Sequence, residues 1–257
     1  MVQRHERTEV LFKKELREQL KTYKMLIVGI AFVFFGISTP LLLAYLPQII
    51  EFSGQGADMP INMPDPTPLM SMQEFGQTML QVGVLICILI TMGTISGEKE
   101  KGTAMLTLSK PVSRGAFVMS KYLALGMLVF VSMLLSAGLC YAYTLMLIGD
   151  FAFIPFLGST LLLTLFLLLC LAVTLFFSSF FKSSLAAGGT ALVLLIAQGL
   201  ATQLPWIGKY LPGNLSSWST QLLSGSGEPA WGALVVAVVI IGLCLYFARI
   251  RLEQKEL

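Results

Sequence analysis

Charge is scarce in this 257-residue chain. Only 12% of its residues are Asp, Glu, Lys or Arg, against roughly 25% in soluble domains. A soluble core of this size has no room for the 56% that are hydrophobic. Histidine occurs once, which excludes the two-histidine HExxH pattern of a zinc hydrolase. Also missing is the G-x-x-x-x-G-K-S/T loop whose amides cradle nucleotide phosphates; the Gly-Lys pair at Gly208-Lys209 is followed by Tyr210. Without that loop the chain is not expected to hydrolyse ATP by itself. No serine elbow occurs, and no Asp, Glu, Lys or Arg stands near the centre of an apolar run, where a proton- or sodium-driven carrier usually keeps one. The four cysteines, Cys87, Cys140, Cys170 and Cys244, lie inside apolar runs. They show neither metal-ligand spacing nor a disulfide framework, so they read as small hydrophobes.

What the chain does have is long uncharged stretches and a mean hydropathy of +0.80. Bilayer hydrocarbon is about 30 Å thick and asks for roughly 20 apolar residues per spanning helix. Six stretches qualify, at about 25–46, 75–97, 116–148, 155–181, 183–204 and 230–248. The first is expected to stop before Pro47, Gly149-Asp150 to make a tight turn, and Lys121 to snorkel to the near interface. The fold class expected is all-α: a polytopic membrane protein of six spans, preceded by an amphipathic helix within 1–24. Six spans place both termini on one side, and sixteen of the seventeen cations fall there with eight of the fourteen acids, leaving Lys209 alone opposite. The two faces then carry about +8 and −5, and the positive-inside rule makes the terminal side cytoplasmic. The basic excess thus reflects insertion and requires no nucleic acid.

Three local patterns are candidates for function. At about 100° per residue, Phe12, Leu16, Leu20 and Tyr23 share one arc of the N-terminal segment while Lys13, Lys14, Arg17, Lys21 and Lys24 occupy the next. Such a helix lies in the headgroup layer, aromatics down and cations on anionic lipid, or else is a solvated charged tail. Between the second and third spans, residues 98–115 form the longest terminal-side loop. Gly102 breaks the preceding helix, Thr103 can cap a short one, Met105, Leu106 and Leu108 give that one an apolar surface, Pro111 ends it, and Ser113 can cap the next span. A short amphipathic helix there suits a groove on a soluble partner, or serves as a plain interfacial connector. Finally, Glu74, Gln77 and Gln81 share one face of the second span's far half, and Gln198 and Thr202 pair on the fifth. These stripes either line a vestibule across a dimer or hydrogen-bond neighbouring helices. The segment 205–229, with Trp206, Tyr210 and Trp218, is expected as a short interfacial element on the far side.

The run Gly-Glu-Lys-Glu-Lys-Gly-Thr at 97–103, followed by Leu-Ser-Lys-Pro-Val-Ser-Arg at 108–114, resembles the first cytoplasmic loop of permease subunits in the type-two exporter family of ABC transporters. The resemblance extends over almost the whole chain: an elbow helix, six spans, this loop, and Leu-Pro-Gly-Asn-Leu-Ser-Ser-Trp before the last span. It implies a type-V fold, a prokaryotic plasma-membrane location, and a second permease copy, identical or related. It also implies two separate ATPase subunits carrying ATP and Mg. In that family the loop includes a coupling helix docked on the ATPase, which assigns coupling roles to Glu98, Glu100, Gly102, Thr103, Leu106, Ser109, Lys110, Pro111 and Arg114. Segment 205–229 corresponds to an external lid. The alternatives are a gradient-driven or passive carrier without an ATPase, and an anchoring protein that transports nothing.

Overall fold

The computed structural model describes residues 2–52, 65–100, 113–204, 206–226 and 228–254, with the backbone alone for 2–10, 50 and 51. Within them lie eight α-helices and no strand: α1 Val2–Lys21, α2 Lys24–Phe52, α3 Pro68–Glu100, α4 Arg114–Leu147, α5 Phe153–Phe180, α6 Ser184–Ala201, α7 Asn214–Ser224 and α8 Trp231–Gln254. Six of them, α2 to α6 and α8, are long and apolar enough to cross a membrane. The chain is an all-α, multi-pass membrane protein.

Side-chain bonds define the two ends of the bundle. At one end Lys121 of α4 bonds Glu15 of α1, Arg114 donates to the Leu252 carbonyl of α8, and Ser96 of α3 bonds Ser184 of α6. This terminal end gathers α1, the last turn of α8 and the stem of the 98–115 loop. At the opposite end Ser71 bonds Thr144 at 2.8 Å, Ser159 bonds Ser219 at 2.7 Å, and the Tyr141 hydroxyl donates to the Phe151 carbonyl. Helix α5 runs through the middle, packed on α3, α4, α6, α7 and α8. Two-thirds of its spanning window (67%) is buried against protein, compared with 17% for α8.

Several helices overrun the lengths that apolar composition suggested. Helix α2 does not stop before Pro47 but carries Pro40 and Pro47 inside it as far as Phe52. In lipid a helix can persist through proline; just ahead of Pro40 the Ser38 and Thr39 hydroxyls donate to the Phe35 carbonyl, one residue before the Gly36 carbonyl that Pro40 leaves without its amide donor. Helix α3 starts at Pro68, and its 33 residues reach about 50 Å at 1.5 Å per residue, well beyond the hydrocarbon. Helix α8 continues past 248 to Gln254. Ser113 caps α4, its Oγ accepting from the Ala116 amide at 3.3 Å. The α4–α5 turn passes through Gly149 at φ 148°, in the region reserved for glycine.

The amphipathic element is shorter than its charge pattern. It ends at Lys21, and Tyr23 occupies the left-handed region at φ 55° as the joint into α2. Tyr23 is therefore a hinge residue and not the last member of the apolar face. On α1 the bundle-facing stripe is Leu11, Glu15 and Gln19, whereas Phe12 and Leu16 are half-buried and Leu20 is exposed to the surroundings. The apolar arc thus flanks the bundle-facing stripe, with Leu20 alone exposed, and two polar residues point in beside Leu11.

The opposite end carries the short elements between α6 and α8. A 3₁₀ turn at Gly208–Tyr210 leads into α7, whose Leu215, Trp218, Ser219 and Leu223 are buried. Trp218 meets Trp231 edge to face at 5.6 Å, while Trp206 stays exposed.

Candidate functional site

Two regions hold the polar residues that an apolar bundle cannot explain by packing alone. The first is the stem of the 98–115 loop. Lys121, about two turns into α4, sends its Nζ between two carboxylates, 2.6 Å from Glu98 Oε1 and 3.2 Å from Glu15 Oε1, with the Phe117 ring at 4.8 Å. Its side chain is 2% exposed, that of Glu15 8% and that of Glu98 20%. The expected snorkelling does not occur: Lys121 turns inward because two acids from different helices meet it there. Desolvating one cation is costly, and a paired geometry with further hydrogen bonds is what offsets the cost.

The rest of the stem is equally constrained. Lys99 donates to the Ser179 carbonyl of α5 and Arg114 to the Leu252 carbonyl of α8. The Ser178 Oγ accepts from the Ile95 and Ser96 amides at 3.1 and 3.0 Å and donates to the Met92 carbonyl at 2.8 Å. These three bonds tie the Ser178 hydroxyl of α5 to the backbone of α3 within the two turns before Glu98. Glu100 is exposed at the end of α3. The remaining coupling candidates, Gly102, Thr103, Leu106, Ser109, Lys110 and Pro111, lie outside the described residues. A cavity of about 460 Å³ opens beside the stem, bordered by Lys14, Glu18, Gln19, Lys24 and Thr94 as well as the ion cluster.

The second region lies at the opposite end. Glu74 and Gln77 are exposed on α3 and line a groove of about 730 Å³ between α2 and α3, closed at one side by Thr220 of α7. Gln81 is exposed one turn further along α3 but does not border the groove. Gln198 and Thr202 do not join it. Thr202 donates to the Gln198 carbonyl at 2.9 Å, and both side chains pack on Gly213, where a Cβ would lie 3.3 Å from Gln198 Nε2. Within one chain this pair therefore supports the Gly213 turn ahead of α7 and stands apart from the α3 stripe. Among the described residues no three His, Cys, Asp or Glu side chains come together to hold a metal ion.

Glu15 and Ser178 escaped the sequence reading. Glu15 sits in a charged helix where polar residues are assigned to water. Its spacing from Leu11 and Gln19, one turn each way, was the available signal, together with a lysine on α4 in need of a counterion. Ser178 gives no such sign in sequence.

The same family emerges from comparison with known proteins. A family model described as "ABC-2 family transporter protein" matches residues 10–212. The Bacillus subtilis (strain 168) "Uncharacterized transmembrane protein YxlG" is 28% identical over 254 residues, covering 96% of this chain and 97% of that one. With six helices long and apolar enough to span a membrane and a family match over most of its length, the chain belongs to the ABC-2 family of transporter proteins and is a membrane permease.

Proposed function

We propose that this permease is the membrane half of an ATP-driven exporter in a prokaryotic plasma membrane, with both termini cytoplasmic. Two copies, or one copy and a related chain, form the substrate path, and two separate ATPase subunits bind ATP and Mg. The 98–115 loop is the handle those subunits grip, with Glu98, Glu100 and Arg114 at its ends. The observation that carries this reading is the Lys121 cluster. A loop that only connects two spans has no use for buried ions, yet this one is tied at its root to α1 and α4 through Lys121, to α5 through Lys99 and to α8 through Arg114. A displacement of the loop would move four helices together, which is what transmission of a nucleotide-driven motion requires. The cation excess at this end supports its cytoplasmic placement, and the exposed Leu20 with the half-exposed Phe12 and Leu16 of α1 supports an elbow seated in lipid headgroups.

The full-length chain, purified from its native host, is expected to bring down a protein with a Walker-type phosphate loop. In nanodiscs that complex should hydrolyse ATP at a rate that depends on the permease. Glu98→Gln with Arg114→Ala should leave assembly intact and reduce the permease-dependent part of hydrolysis about tenfold or more, the scale on which lost charge-assisted contacts are read. Purification without any ATP-binding protein, or undiminished coupling in the double variant, would remove the assignment.

A further inference from the structure

The α2–α3 groove has a polarity gradient that specifies its occupant. Glu74 lies 24 residues before Glu98 on one continuous helix, about 36 Å at 1.5 Å per residue, so with Glu98 at one interface Glu74 stands at the other. Phe34 lies ten residues into α2 from Lys24, about 15 Å along it and so near mid-depth. The groove therefore runs from the middle of the bilayer, where Phe34 and Phe35 meet edge to face at 5.3 Å, to the headgroup level at Gln73, Glu74 and Gln77. Its volume of about 730 Å³ is within the roughly 300–1,000 Å³ typical of small-molecule sites.

Charge decides between occupants. Glu74 is the acidic residue of the lining, and among the described residues no lysine or arginine borders the groove and Glu74 makes no ion pair. An anionic lipid would bring a net negative charge that no described residue of the lining can neutralise. A cation without an anionic group meets the carboxylate at the interface and leaves its apolar part on the phenylalanines. The surrounding end of the chain carries one cation against six acids, a field that concentrates positive ligands.

We propose that this groove is a binding site for lipophilic monocations, with Glu74 as counterion and Gln73 and Gln77 as polar neighbours. The proposal rests on the exporter reading in taking such cations as the substrate class; binding itself needs no ATPase. The test uses the full-length chain alone in phosphatidylcholine nanodiscs, with empty nanodiscs subtracted. The probes are tetraphenylphosphonium and tetraphenylborate, two ions of one shape and opposite charge. Saturable binding of the cation and none of the anion is expected. Glu74→Gln should weaken the cation about tenfold or more, Glu74→Lys should abolish its binding, and neither should alter the melting temperature, since Glu74 is exposed. Equal binding of both ions, an unchanged affinity in Glu74→Gln, or retained phospholipid that excludes the cation would overturn the proposal. So would a groove covered by a second copy, seen as a wild type that binds neither ion. A negative result leaves the ATPase pull-down untouched, and a failed pull-down leaves cation binding standing.

Discussion

Lys121→Met is expected to cost about 3 kcal/mol of stability, the lower part of the range for removing one partner from a buried ion pair. The methionine fills the space of the alkyl stem and keeps the contact with Phe117, so the loss is electrostatic. Glu15 and Glu98 then face each other without a cation; Glu15 is almost fully enclosed, whereas Glu98 retains some access to water, which is why the cost stays below the top of that range. Glu15→Gln alone should be mild, about 1 kcal/mol, because the 2.6 Å contact between Lys121 and Glu98 survives. The double variant Lys121→Met with Glu15→Gln should be more stable than Lys121→Met by itself, since only one carboxylate is left uncompensated. Denaturation in detergent micelles, followed by tryptophan fluorescence, gives the ranking. If Lys121→Met were as stable as the wild type, the cluster would be incidental to the fold, and the loop stem would have no rigid root.

The sequence made the number of spanning helices legible because hydrocarbon imposes a length and tolerates little charge. It could not say which spans face lipid. Helices α5 and α2 have similar spanning hydropathy, 2.7 and 2.4, yet 67% of one window and 28% of the other are buried in protein, for an apolar interior and an apolar solvent select the same residues. A subtler signal was available. Helix α5 carries Ser159, Thr160, Thr164, Thr174, Ser178 and Ser179, all buried, whereas α8 has no serine or threonine at all. Ser159 and Ser178 bond other helices while Thr164, Thr174 and Ser179 donate to carbonyls of α5 itself, and such small hydroxyl residues suit close helix packing, so their density marks the central span where hydropathy does not. The candidate site was half legible for a related reason. The loop and its motif stand out as a polar island between two spans. Its anchorage depends on Glu15, 83 residues earlier than Glu98 in the chain, and only folding brings a charged surface helix over the end of α3.

Gly36 offers the second large effect, with its own control seven residues away. Gly29 and Gly36 are almost two full turns apart on α2 and share a face, so sequence cannot tell them apart. A Cβ at Gly29 meets nothing within 4 Å, but one at Gly36 would lie 2.6 Å from the Ser136 carbonyl oxygen of α4 and against its hydroxyl. Backbone cannot swing aside as a flexible side chain can. The same crossing holds the Ser136 hydroxyl on the Phe32 carbonyl at 2.6 Å, with Val28 and Phe32 buried close by along α2. Lipid tails are as apolar as these side chains, so α2 and α4 associate through close packing and such bonds, with no hydrophobic push between them. Gly36→Ala must part the helices and loosen that bond, at a cost of about 2 kcal/mol, and Gly36→Val should cost more. Gly29→Ala should be neutral or stabilise by up to about 1 kcal/mol through helix propensity. Equal behaviour of the two alanine variants in the same denaturation assay would mean that α2 and α4 do not cross at Gly36.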